Sequence, residues 1–243
     1  MTYAEALGRL LGLRGGEQAG MSPGLERVEA LLEALGHPER QYAIVQVGGT
    51  NGKGSVAVMI AGILKAAGHR VGLYTSPHLC SFRERIRVNG SAISEEAVAD
   101  AVDALGTLIA RLDATMFEAA TILALDHFAR ERVEWAVLEV GIGGRLDATT
   151  VGCPQAEVIT RIDYDHQAFL GWQLEQIARE KAAILRSGRA TAAAQAPEVI
   201  QILVAQAERA GVPLWLHGRD LAVHVRARDL SGQRLDFSGP GWG

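Results

Sequence analysis

From residue 41 onward the apolar positions alternate between two rhythms: short runs with strand character, and longer stretches that repeat every three to four residues. Residues 42–47 form a β-rich apolar run, a glycine-rich loop covers 48–54, and 55–67 repeats with helical period until Gly68 stops it. Residues 71–74 give a second short strand. Residues 86–93 predict a hairpin, because Asn89 and Gly90 tolerate the positive φ angles of a tight turn. Ser94 offers a helix N-cap, followed by Glu95 and Glu96 where a helix dipole favours negative charge, and this helix is expected to run to about Leu112. Further helices are expected over 117–130, 174–186 and 197–210, with strands over 135–140 and 157–161, and the stretch 212–243 alternates like strands. The succession predicts an α/β fold, a mostly parallel sheet flanked by helices, with a small β appendage near the C-terminus.

Composition narrows the function. A chain of 243 residues, 48% hydrophobic and 21% charged, can bury one large core. Its net charge of -4, without a polybasic run, argues against a protein whose main affinity is for the nucleic-acid backbone. No basic segment followed by an apolar stretch opens the chain, and no apolar run approaches the roughly 20 residues that span a bilayer. The expectation is a cytoplasmic protein with no nucleic-acid and no membrane partner. Cys80 and Cys153 form neither a CxxC pair nor a disulfide framework, which suits a reducing compartment, and both are expected as packing residues.

Between the first strand and the first helix lie Gly49, Thr50, Asn51, Gly52, Lys53, Gly54 and Ser55. Glycines here let backbone N–H groups converge on phosphate oxygens at a positive helix end, and Lys53 would reach the β and γ phosphates. The run departs from GxxxxGK[ST]: Val47 holds the first glycine position, and Gly54 separates Lys53 from Ser55. The flanking strand and helix favour nucleotide binding over a structural glycine turn with an incidental lysine.

Three further residues carry candidate chemistry. Glu139 interrupts an apolar strand at its C-terminal end, where ligands bind in α/β sheets, and a buried carboxylate needs a partner such as nucleotide-bound magnesium. His166 follows a separate strand; its convergence with Glu139 competes with a surface histidine beside a cap-like Asp165. In the helix starting at Leu174, the apolar positions Leu174, Ile177, Ala178, Ile184 and Leu185 trace one stripe, and Lys181 falls on it. Lys181 therefore points inward or snorkels, and an inward lysine has a lowered pKa and a neutral amine able to react with carbon dioxide.

The loop at 49–55 is the variant seen in the Mur ligase superfamily, and Leu73, Tyr74, Thr75, Ser76, Pro77, His78 and Leu79 resemble its folate-using branch, the folylpolyglutamate and dihydrofolate synthases. The resemblance continues through Phe82 to Ile86, the run Leu138 to Thr149, Asp165 and His166 with Leu170 and Gly171, and Arg179 to Ala182; Gly24, Leu25, Glu26 and Arg27 are similar to the family's opening helix. It implies a Mur-ligase-type ATP-binding domain over 1–243, incomplete at its C-terminal end and without the family's C-terminal ligase domain. It implies an acid–amino-acid ligase that uses ATP and two Mg2+ to join L-glutamate to a folate or dihydropteroate carboxylate through an acyl phosphate, acting as a monomer. By the same resemblance Ser76 and Glu139 hold the first magnesium, Glu139 and His166 serve the second, and Lys181 is carbamylated. Lys53, His166 and Lys181 are then the catalytic candidates. Thr75, Pro77, His78, Thr115, Phe117 and Asp147 are the substrate-side candidates, with Phe117 stacking a pterin and Asp147 pairing with its amidine-like edge; read alone, Phe117 is core and Asp147 a cap. A cis bond before Pro77 is expected, and Arg83 and Arg85 either face an anionic substrate tail or solvate a loop. Thr150 stands where the family pattern has Asn, and Ala183 where glycine is frequent. Two other readings stay open: a non-catalytic nucleotide- or folate-binding module, and a Mur-type ligase acting on a peptidoglycan precursor.

Overall fold

The protein is represented by a computed structural model that describes residues 1–14, 24–230 and 232–241. Trp242 and Gly243, part of the predicted alternating tail, lie outside the described residues. Two helices come first, α1 (Tyr3–Leu11) and α2 (Glu26–Ala34), the former closed by a capping box between Thr2 and Glu5. The strands β1 (Ala43–Gly48), β2 (Val71–Tyr74), β3 (Ile86–Val88), β4 (Ser91–Ala92), β5 (Trp135–Glu139), β6 (Ala156–Ile159), β7 (Arg189–Ala192) and β8 (Leu214–Leu216) form one sheet in the order β4-β3-β2-β5-β1-β6-β7-β8. From β2 to β8 all neighbours run parallel, whereas β3 and β4 are antiparallel. Helices α3 (Lys53–Ala66), α4 (Glu95–Arg111), α5 (Met116–Arg130), α6 (Gln167–Leu170), α7 (Leu174–Ala182) and α8 (Pro197–Ala210) connect and flank the strands. A separate antiparallel hairpin, β9 (Ala222–Asp229) with β10 (Gly232–Ser238), is the expected small appendage.

Burial explains the strand chemistry. In β5 all residues after Trp135 are buried, as a strand covered on both faces requires, and β2 is buried throughout. Tyr74, Phe82, Phe128 and Met116 fill one core cluster under α1, α2, α4 and α5, while Ile177, Ile184, Val199 and Leu203 fill another under α7 and α8. Chain order reverses around β1: β2 and β5 lie on one side of it, β6 to β8 on the other. In open α/β sheets such a reversal leaves a crevice at the C-terminal strand ends.

The hairpin appears as predicted, with Asn89 and Gly90 at positive φ. The helix predicted over 174–186 stops at Ala182, because the backbone N–H groups of Arg186 and Ser187 leave the helical path to donate to Glu157 Oε1 at 3.1 and 2.8 Å. The expectation of two packing cysteines is corrected: Cys80 and Cys153 are both exposed and free, each on a loop rather than in a core-facing element.

Candidate active site at the C-terminal strand ends

The loop after β1 is built around backbone constraint. Gly49 has φ +133°, and a Cβ there would lie 2.0 Å from Thr160 Oγ1, so the position needs glycine on both counts. Thr50 then pins the loop to the segment after β6: its N–H donates to Arg161 O at 2.9 Å, its hydroxyl to Asp163 O at 2.9 Å, and its oxygen accepts from Asp163 N–H at 3.0 Å. Gly52 caps α3 in the left-handed region without a side-chain hydrogen bond, which leaves the first N–H groups of a 14-residue helix to face an anion. Asn51 and Ser55 are exposed, and Lys53 Nζ donates to Thr50 O at 3.0 Å.

Glu139 ends β5 directly beside this loop. Val47 and Glu139 are register partners, and Glu139 is only 5% exposed. A Cβ on Gly54 would sit 3.2 Å from both carboxylate oxygens, so the start of α3 and Glu139 are in contact range because residue 54 has no side chain. Ser76 N–H donates to Glu139 Oε2 at 3.0 Å, which brings in the loop after β2. Burial pushes the Glu139 carboxyl above its ordinary value, against the pull of the Ser76 N–H and the Lys53 charge.

Lys181 is 1% exposed, so it points inward as its helical stripe requires, and its Nζ donates to Gly49 O at 2.8 Å. Burial, helped by the Lys53 charge, lowers its pKa to about 8. His166, by contrast, is exposed; it caps α6 at φ 46° and its Nε2 lies 3.5 Å from Asp165 Oδ2. Among the described residues no group of three or more His, Cys, Asp or Glu side chains is clustered as a metal cage.

The substrate-side candidates divide. Phe117 and Asp147 both border Gly141, whose added Cβ would meet Phe117 Cζ at 2.6 Å and Asp147 Oδ2 at 3.1 Å, and the Phe117 ring tilts against Tyr74 with centroids 6.1 Å apart. The Asp147 carboxylate is already filled from within: Oδ2 accepts from Gly141 and Ile142 N–H at 3.0 Å each, and Oδ1 from Thr149 N–H at 2.9 Å and its hydroxyl at 2.5 Å. These four hydrogen bonds make Asp147 a cap of the 141–149 turn. Thr115 is likewise the N-cap of α5, in a reciprocal box with Glu118, and Glu118 is ion-paired to Arg27 at 2.7 Å. Thr75 N–H donates to Arg85 O at 3.0 Å, Pro77 follows a cis bond and is exposed, and His78 Nδ1 accepts from Arg85 Nε at 2.9 Å. Arg85 is buried over the Phe82 ring, and Arg83 binds Ile93 O and Glu95, so both arginines brace the loop.

Sequence reasoning missed Gln46. It is wholly buried in β1, and its amide donates to Thr149 and Thr150 hydroxyls at 3.3 and 2.9 Å while its oxygen accepts from Arg186 Nη1 at 2.5 Å. A glutamine inside an apolar strand one residue from Val47 was the available signal. Thr150 also donates to Gly144 O at 2.6 Å, so the residue that departs from the family's Asn still ties the 141–150 loop together.

Comparison with known proteins agrees with this geometry. The Mur ligase middle domain model matches residues 47–238. The dihydrofolate synthase/folylpolyglutamate synthase of Bacillus subtilis is 40% identical over 210 residues, which cover 83% of this chain and 49% of that protein. The folylpolyglutamate synthase of Lacticaseibacillus casei is 36% identical over 219 residues, covering 87% and 51%. Among solved structures, the folylpolyglutamate synthase of Thermotoga maritima superposes with a TM-score of 0.88 at 37% identity, covering 98% of this chain and 55% of that one. An FPGS–AMPPCP–folate complex superposes at 0.90 with 34% identity, covering 99% and 60%. The chain thus spans about half the length of the curated relatives it matches. With the family model matching residues 47–238, most of the chain, this protein belongs to the Mur ligase family and carries its middle domain.

Proposed function

We propose that this chain is the ATP-binding portion of a ligase that joins L-glutamate to the carboxylate of a folate or dihydropteroate. The observation that carries the reading is the contact between Glu139 and the start of α3 at Gly54, one residue beyond Lys53. A nucleotide whose phosphates lie on the α3 N–H groups brings its terminal phosphate to that carboxylate. Lys53 would balance charge on the transferring phosphoryl group, and Gly49 to Ser55 would cradle it.

The donor set suits magnesium: one buried carboxylate and the Ser76 hydroxyl are hard oxygen donors, and a cation that keeps several waters and shares phosphate oxygens does not need a cage of protein ligands. Glu139 and Ser76 would hold one ion, with Glu139 and His166 on a second. When bound, the ions supply neutralisation of the phosphate charge. Lys181 fits the proposed carbamate, since a pKa of about 8 gives a useful fraction of neutral amine near neutral pH. Nucleophilic attack of that amine on carbon dioxide forms the N–C bond and releases one proton.

The chemistry is a transfer of the ATP γ-phosphoryl group to the acceptor carboxylate, then displacement of phosphate by the glutamate amine. Positioning dominates such a reaction. Phe117, beside Gly141, would offer the acceptor an aromatic face, while Asp147 and Thr115 would shape the pocket wall through the loops they cap.

The test has two readouts. AMPPCP binding measured by calorimetry should require magnesium and weaken strongly in Lys53→Ala. Mass spectrometry of mixtures with dihydropteroate or tetrahydrofolate, ATP and glutamate should reveal a glutamylated product. Binding without product supports the second reading, a non-catalytic nucleotide- or folate-binding module. Failure to bind AMPPCP overturns both.

A further inference from the structure

We infer that the cleft between α7 and α8 is a binding site for a small dianion of phosphate or dicarboxylate type, separate from the nucleotide loop. The cleft has a volume of about 390 Å³ and is lined by Arg145, Arg179 and Arg209, with Gln201, Gln206 and a single carboxylate, Glu180, among the other lining residues. A space of this size accommodates a small molecule and not a folded partner.

The charges do not cancel. Arg145 uses Nε and Nη2 on Glu180, each at 3.0 Å, so that pair is neutral. Arg179 is exposed, with no hydrogen bond or ion pair to any described residue. Arg209 meets only the neutral Gln206, donating from Nη1 to its Oε1 at 3.2 Å. Gln206 is fixed in turn, because its amide donates to Leu185 O at 3.0 Å. Two guanidinium groups thus face one cleft without counter-charge, and one is oriented by a braced amide. Guanidinium forks favour oxyanions that accept two parallel hydrogen bonds, and two forks favour a ligand with two negative charges.

The site also lies behind Lys181. Helix α7 presents Lys181 to Gly49 on its inner side and Arg179 to the cleft on another, while Arg145 N–H donates to Glu180 O at 3.1 Å. A dianion held between Arg179 and Arg209 would bind α8 to the helix that positions Lys181.

The experiment titrates the full chain at low ionic strength with inorganic phosphate and, separately, with glutarate, using acetate as the monovalent comparator. The expected result is binding of at least one dianion, about tenfold or more tighter than acetate, and weakened about tenfold or more in the double variant Arg179→Gln/Arg209→Gln. Both side chains are exposed, so the variant should melt like the parent. The neutralisation Arg228→Gln on exposed β9 should leave binding unchanged. Phosphate and glutarate arms identify which dianion is preferred. Absence of binding by either, or binding indifferent to the double variant, overturns the proposal. Phosphate binding that disappears in Lys53→Ala but survives in the double variant also overturns it, while leaving the nucleotide loop supported.

Discussion

Lys181 Nζ donates to the carbonyl of Gly49 at 2.8 Å, tying an almost fully buried amine to the first glycine of the loop. The charge is held there at a cost, since burial brings its pKa to about 8 from an ordinary 10.5. Between those values the unfolded chain binds a proton that the folded chain does not, so stability rises with pH across this window. Below about 8 both states are protonated and the full cost is present.

Replacing Lys181 by Met should therefore remove the rise. Chemical denaturation from pH 7.5 to 10.5 is expected to show parent stability increasing relative to Lys181→Met by on the order of 3 kcal/mol. Parallel curves for the two proteins would refute the buried-ammonium account.

Glu139 and Gly54 should act as one unit. Glu139→Gln keeps the shape but removes the charge, and is expected to abolish the magnesium requirement of AMPPCP binding while lowering affinity about tenfold or more. Gly54→Ala puts a methyl group against both carboxylate oxygens and should weaken magnesium-dependent binding in the same direction. Calorimetry with and without magnesium reads both effects, and full affinity in Glu139→Gln would contradict the placement of the ion.

Gln46→Leu should be costly although the residue touches no proposed ligand. It takes one acceptor from the half-buried Arg186 guanidinium, which keeps Val151 O and Ile184 O, and the amide donor from the Thr149 and Thr150 hydroxyls, which keep Asp147 and Gly144 O. A loss of about 3 kcal/mol in urea denaturation is expected, and a change under 1 kcal/mol would show that water replaces the amide easily.

Asp147→Asn tests whether this carboxylate is a cap or a ligand acceptor. An amide cannot accept from Gly141, Ile142 and Thr149 together, so the fold should lose about 2 kcal/mol whether or not a pterin is present. Unchanged melting combined with lost dihydropteroate binding would instead return Asp147 to a direct substrate role. Thr115→Ala offers the companion measurement, with about 1 kcal/mol lost through the α5 cap.

Much of this was legible in the sequence where the signal is local. Glycines around Lys53, the Asn89-Gly90 turn and the stripe carrying Lys181 each declare themselves within a few residues. The misses are of two kinds. Strand β7, with the sequence Arg-Ala-Thr-Ala, has one β-branched residue and becomes a strand only through pairing with β6 and β8. Helix α1 was readable from its capping box but stands before the alternating pattern begins. The partners of Gln46 and Asp147 come from turns and from a chain segment 140 residues away, so spacing could not reveal that they hold the loops in place. His166 shows the reverse limit, since a motif gives residue type without showing which way the ring faces.

The central position of β1 has a mechanical consequence. It is hydrogen-bonded to β5 on one side and β6 on the other, and all three deliver their following loops to the same edge. Separating Lys53 from Glu139 would mean shearing the middle of the sheet, so this half of the proposed active centre is an anvil: anything closing over a nucleotide bound there would have to travel to it.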